Sequence, residues 1–408
     1  MVAKNPLFSF TKEEAAFLRE GQAEAQKALS PVATRDSEAL YEHPDMVDDD
    51  DALLRSAFTR DVDRILNNAF YNRCMDKTQV FPFYRNDDLT RRSFHLQLVA
   101  HISRKISSAL RLNGALTEAI ALGHDMGHTP FGHGGERVLS DLYHARTGRY
   151  FNHNVHSVRL LRTIAGRNLS LQTLNGILCH CGEKAFARYE PAACDTFVEL
   201  DTLMEKCSTE AGASQTLRPS TLEGCVVRIC DMLAYLGKDR QDALTVKVFS
   251  DDDYPLSDSV IGATNREIIH NVSVNLIKNS MGHNYLSLDD EVFSSLVEAK
   301  ERNAREIYAS PAAHERLDQL IAPMMKRLYE QCIDDLKAGR EESPIFRHHL
   351  NAWMMRNRDD YRNEETDDDK VVDYLASMTD EYFIALYNYL YPREAVSEED
   401  LYIPYFSH

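Results

Sequence analysis

Nine of the chain's 16 histidines fall between His95 and His180, and that interval contains the run HDMGHTPFGHGGE at 124–136. Imidazoles beside carboxylates form a mixed nitrogen and oxygen donor set suited to a divalent transition metal, and imidazole also moves protons near neutral pH. His95 is followed at i+4, i+7 and i+11 by Val99, Ile102 and Ile106, the spacing of one buried helix face, so it points inward. Leu116, Ile120 and His124 form an i, i+4, i+8 row on a second helix, with Asp125 next. Asp231 falls within the apolar stripe Val226, Val227, Cys230, Leu233 and Ala234 of a third helix, Leu222 to about Asp239. A carboxylate there is costly unless paired or bound to a cation. His95, His124, Asp125 and Asp231 are therefore a candidate metal set. His133 and Glu136 stand three apart at the expected start of the next helix, as a general acid/base pair requires, although a surface i, i+3 pair has the same spacing.

These residues need helices to position them, and the composition supplies them. The 408 residues include only 17 Gly and 13 Pro, with no long alternation of apolar and polar residues, which predicts an all-α chain. Asn113-Gly114 reads as a stop for the first helix. Residues 207–221 (CSTEAGASQTLRPST) and Ser250–Ser257 read as loops, and Arg356–Lys370 as an exposed charged loop. Helical patterns resume near Asn265–Lys278, Ser310–Lys337 and Val371–Tyr391.

With 46 Lys+Arg against 64 Asp+Glu, the net charge of −18 disfavours nucleic acid and anionic lipid as partners. A buried site with bases and a metal could still take a small phosphorylated ligand. No apolar run approaches the roughly 20 residues of a membrane span. Met1–Phe10 lacks the basic and apolar parts of a signal peptide, so the expected setting is cytoplasmic. The eight cysteines suit reduced thiols. Cys179 and Cys181 flank His180 but lack a CxxC spacing, so they read as ordinary buried thiols rather than a zinc knuckle.

The chain resembles the HD-domain deoxynucleoside triphosphate triphosphohydrolases, the dGTPase-like family. The resemblance is carried in order by RDVDRI (60–65), KTQVF (77–81), RSFH (92–95), HDMGHTPFGHGGE, FNHNVHS (151–157), LEGCVVRICDMLAYLGKD (222–239) and DYLASMTDEYF (373–383). Residues 1–51, with Ser-Pro at 30–31 and the acidic run Asp48–Asp51, read as a loosely attached N-terminal arm, and the resemblance implies an HD-domain helical core at 52–245 with additional C-terminal helices at 246–408 packing on the core. Its metal ligands fall on His95, His124, Asp125 and Asp231, for Mn²⁺ or Mg²⁺. His133, Glu136, His128 and His153 take catalytic positions, with His128 and His153 near the phosphates. Arg92 matches the phosphate-binding arginine, Tyr235 packs on the deoxyribose, and Gln79 and Asp239 contact its 3′-hydroxyl. A solvated Arg92 and a Tyr235 that merely packs the core are the alternatives. His156 and His180 are read as structural.

The implied reaction releases deoxynucleoside and intact triphosphate from dGTP or several dNTPs. The resemblance also implies a homo-oligomer, with room for a dNTP activator. Another HD-domain phosphohydrolase, acting on a monophosphate or a phosphodiester, and a non-catalytic dNTP sensor are the competing readings. Phe94 stands where relatives have Thr, and Ser377 and Glu381 where they commonly have Gly and Arg.

Overall fold

A computed structural model describes residues 9–43, 49–181, 185–248, 250, 259–310, 315–355 and 358–404. It is helical, with a single two-stranded antiparallel ladder among the described residues, Arg188–Tyr189 against Leu286–Ser287. The first apolar core packs the helices Ala57–Leu66, Arg92–Leu110, Gly114–Gly123, Leu171–Leu178 and Leu222–Thr245. His95, Val99, Ile102 and Ile106 are all buried, as the helical spacing predicts. A second core joins Gly132–Thr147 to the C-terminal helices Ala322–Lys337, Asp367–Ala376 and Asp380–Leu390.

Local chemistry explains the element ends. Arg111, in the left-handed region at φ 56°, ends the Arg92–Leu110 helix. Asn113 does not stop that helix; its side chain accepts from the backbone of Ala115 at 3.2 Å and Leu116 at 3.3 Å, capping the next one. The helix Phe197–Thr209 runs into the expected 207–221 loop, which holds a further 3₁₀ turn at Ala213–Thr216. Arg356–Lys370 is likewise not a loop through its described part. It contains the helix Asp359–Glu364 and the start of Asp367–Ala376, and Lys370 is buried. The expected loop at Ser250–Ser257 lies, beyond Ser250, outside the described residues.

Residues 30–41 are not loosely attached. The carboxylate of Glu223 accepts from the backbone of Thr34 at 3.1 Å and its hydroxyl at 2.9 Å, and Leu40 accepts from the backbone of Leu171 at 2.7 Å.

Candidate functional site

Several of the sequence blocks without candidate ligands hold the loops that carry them. The Lys77 ammonium is buried and donates to the carbonyls of His128 and Ala376, the latter at 3.0 Å. Burial brings it down to about 8. Asp380 accepts from the backbone of Thr78 at 3.2 Å and of Phe131 at 2.9 Å, pinning both sides of the cavity mouth. Gly127 allows the loop to lie against the His153–Arg159 helix: a Cβ there would sit 2.2 Å from Ser157 N. His156 donates to the carbonyl of Gly127 at 2.8 Å and faces Asp373 at 3.4 Å, a structural position.

The loop therefore turns Asp125 and His128 inward, onto a cavity of about 400 Å³, with His124 fully buried beside Asp125. Arg92, His95, Asp231, Tyr235, Asp239 and Gln79 reach it from the flanking elements, and His133 and His153 from the helices that follow the loop.

Metal-type donors converge at its base. His95 Nε2 lies 2.9 Å from Asp231 Oδ1, and His124 Nε2 lies 3.7 Å from both Asp231 Oδ1 and Asp125 Oδ1. His124 Nδ1 donates to the carbonyl of Ala121 at 2.7 Å, which leaves a lone pair on Nε2 in the neutral ring. That buried Nε2 has no hydrogen-bond partner, as expected of a nitrogen that ligates a cation. The Asp231 carboxyl is held well below its usual range: burial would raise it, but the adjoining imidazoles of His124 and His95 outweigh burial. Two imidazoles and two carboxylates thus fit a divalent ion. Asp125 also pairs with Arg92, whose guanidinium is buried and keeps Nε without a partner.

Above the metal-type donors stands a group of imidazoles. His128 and His153 stack with ring centroids 4.2 Å apart, and His133 lies 4.7 Å from His128. Glu136 is shared: Oε2 is 3.3 Å from His133 Nδ1 and 2.9 Å from His153 Nδ1, and Oε1 accepts from the backbone of His153 at 2.8 Å. Glu136 is thus held more closely by His153 than by His133, whose side chain is 68% exposed at the mouth. Burial and the charge on Arg92 push His128 well down, favouring the neutral ring.

At the far side, Asp239 Oδ2 accepts from the Tyr308 hydroxyl at 2.6 Å, while its Oδ1 and Gln79 Oε1 are buried without partners. Burial raises the Asp239 carboxyl to about 7 despite that hydroxyl.

Among the lining residues not expected from sequence, four carry ionisable side chains: Tyr308, Lys300, His180 and Cys181. His180 is not a remote structural residue, since its Nε2 lies 3.3 Å from Asp125 Oδ1. Cys181 is buried and unoxidised, with Sγ 3.4 Å from His153 Nε2. Burial would push this thiol up, but His153 and His180 bring it down to about 6.

Residues 92–236 match the model of the HD domain. The chain is 30% identical over 372 residues to a deoxyguanosinetriphosphate triphosphohydrolase-like protein of Caldanaerobacter subterraneus, covering 90% of this chain and 93% of the relative. It is 31% identical over 417 residues to a protein of the same name from Syntrophus aciditrophicus, covering 93% and 98%, and 30% identical over 348 residues to one from Desulfatibacillum aliphaticivorans, covering 83% and 88%.

Proposed function

The chain belongs to the HD-domain, deoxyguanosinetriphosphate triphosphohydrolase-like family, and from that premise we propose that it hydrolyses deoxynucleoside triphosphates, dGTP or several dNTPs, to deoxynucleoside and inorganic triphosphate. The observation that carries this reading is the sorting of unpartnered polar atoms around one cavity. His124 Nε2 lies among the metal-type donors, His128 Nδ1 and Arg92 Nε stand beside the imidazoles, and Gln79 Oε1 and Asp239 Oδ1 lie at the far side. A divalent ion at the first, and a ligand with polyphosphate at one end and a hydroxyl-bearing sugar at the other, would satisfy each of them in turn.

A divalent ion, Mn²⁺ or Mg²⁺, on His95, His124, Asp125 and Asp231 would supply charge for the phosphoryl oxygens and a more acidic water. The Arg92 guanidinium binds phosphate oxygen, with Asp125 fixing its orientation. As the oxygen of water bonds to the α-phosphorus the water gives up one proton to solvent, the bond to O5′ breaks, and His133, oriented by Glu136, delivers one proton to O5′ and regains one from solvent. His128 and His153 line the phosphate path between. The Tyr235 ring packs on the deoxyribose, where it would crowd a 2′-hydroxyl. Asp239 and Gln79 meet the 3′-hydroxyl.

The same reading includes homo-oligomeric assembly, room for a dNTP activator and a cytoplasmic setting; the last is supported by eight free, buried cysteines and by the absence, among the described residues, of a helix long and apolar enough to cross a membrane. The test is product analysis with each dNTP and GTP plus Mn²⁺ or Mg²⁺. Triphosphate and deoxynucleoside are expected. Orthophosphate would move the reading to a different HD-domain hydrolysis, and binding without turnover to a sensor.

A further inference from the structure

We infer that His153, His180 and Cys181 hold a second metal ion, of the zinc class, beside the first. The inference deepens the functional reading above and rests on the same cavity being a metal site. His153 Nε2 and His180 Nε2 are 3.3 Å apart, and Cys181 Sγ lies 3.4 Å from the former and 3.8 Å from the latter. A tetrahedral ion about 2.05 Å from imidazole nitrogen and about 2.3 Å from thiolate sulfur requires edges of about 3.3 Å between nitrogens and about 3.6 Å between nitrogen and sulfur. The three donors already describe one face of that tetrahedron.

The outward bonds of both rings aim them at one point. His180 Nδ1 donates to the carbonyl of Ile177 at 2.7 Å, and His153 Nδ1 faces both oxygens of Glu136 at 2.9 Å. Each ring therefore spends Nδ1 outward and turns Nε2 toward the other ring and toward sulfur, and a carbonyl and a carboxylate are the partners that orient metal-binding imidazoles. Thiolate with two imidazoles selects zinc over magnesium or manganese. For the fourth position the nearest carboxylate is Asp125, whose Oδ1 is 3.3 Å from His180 Nε2 and 3.6 Å from His153 Nε2. Because the same oxygen lies 3.7 Å from His124 Nε2, Asp125 would join the two ions. Sequence hides this arrangement: the Cys-His pair lacks a CxxC partner, and the third donor lies far upstream at His153.

The test is elemental analysis of the full chain loaded with Zn²⁺, together with the absorption spectrum of the Co²⁺-loaded protein. Two ions per chain and a thiolate-to-Co²⁺ charge-transfer band are expected. Cys181→Ala and His180→Ala should each lose one ion and the band, while Asp231→Asn should lose the other ion and keep the band. Glu136→Gln, which spares all three donors, should weaken Zn²⁺ binding about 10–100-fold. A wild type that binds one Asp231-dependent ion and shows no thiolate band overturns this inference and leaves the functional reading standing. A band without any Asp231-dependent ion supports the inference and overturns the metal assignment of that reading. The wild-type spectrum depends on no variant, so a substitution that fails to fold does not shield the inference.

Discussion

Two buried clusters of ionisable residues treat their charges in opposite ways. Asp373, 1% exposed, accepts from Arg159 Nε at 2.8 and 3.0 Å, from Arg159 Nη2 at 2.8 Å and from the Tyr361 hydroxyl at 2.9 Å. Glu365 takes a further Arg159 bond at 2.6 Å. In the cavity cluster, by contrast, His124 Nε2, His128 Nδ1 and Asp239 Oδ1 are left without partners. Burial of an unsatisfied polar atom costs roughly 1–3 kcal/mol, a cost that a ligand completing the cavity atoms would recover. The Asp373 cluster, whose carboxylate is fully paired although His156 Nε2 beside it is not, holds the C-terminal helices to the core; the unpartnered atoms of the other surround a cavity that a ligand can enter.

The largest expected effect separates the two in activity. Asp231→Asn should lower kcat/KM by about 10³-fold or more, because a lost metal ligand removes several kcal/mol of transition-state stabilisation. Its Tm without metal should stay close to wild type. Asp373→Ala should do the reverse. It leaves the Arg159 cation buried without its main carboxylate, which costs about 3–5 kcal/mol in denaturant unfolding. Activity per folded molecule at low temperature should change only a few-fold. Equal effects of the two substitutions on stability would erase the distinction.

The pH dependence sharpens the contrast, since the two clusters carry opposite signs. Asp373 is held far below the usual carboxylate range: burial would raise it, but the charge and hydrogen bonds of Arg159, with His156 adjacent, outweigh burial. Its stabilisation is present above the unfolded value of about 4 and is lost as pH falls through the folded one. Asp239, raised to about 7 by burial, contributes stability in full below about 4 and loses it as pH rises through about 7. Tm measured from pH about 3 to 9 in metal-free buffer should show both limbs. Asp239→Asn should flatten the fall between pH about 4 and 7, and Asp373→Asn the acid limb. The smallest effect is expected from Tyr308→Phe, which frees Asp239 Oδ2. It should raise KM about 5–10-fold and leave kcat within about twofold, the worth of one hydrogen bond to a carboxylate.

Periodicity made part of this legible. The His95 face and the Asp231 stripe show in sequence because a helix places i, i+3 and i+4 residues on one side. The HD loop is dense enough in His and carboxylate to stand out before any helix is drawn. Tyr308 does not show, because it reaches Asp239 across 69 residues of chain from the irregular turn Ala304–Tyr308. His180 and Cys181 follow the short helix Leu171–Leu178, where no repeat says which way a side chain faces. The charged run before Val371 misleads for another reason. Thr366 caps a helix by accepting from the backbone of Asp369 at 3.1 Å, and Asp367, Asp368 and Asp369 occupy its first turn, where acidic groups favour the helix dipole. Acidity there marks a helix start.

The central claim is that the unfilled valence of His124, beside His95, Asp125 and Asp231, belongs to a divalent ion, and thermal unfolding with increasing Mn²⁺ tests it most directly. The wild type should be stabilised by about 2.7 kcal/mol once Mn²⁺ reaches about 100 times its Kd, with the gain abolished in Asp231→Asn and retained in Tyr308→Phe. A wild-type Tm that does not respond to Mn²⁺, or one that rises equally in Asp231→Asn, would contradict the account.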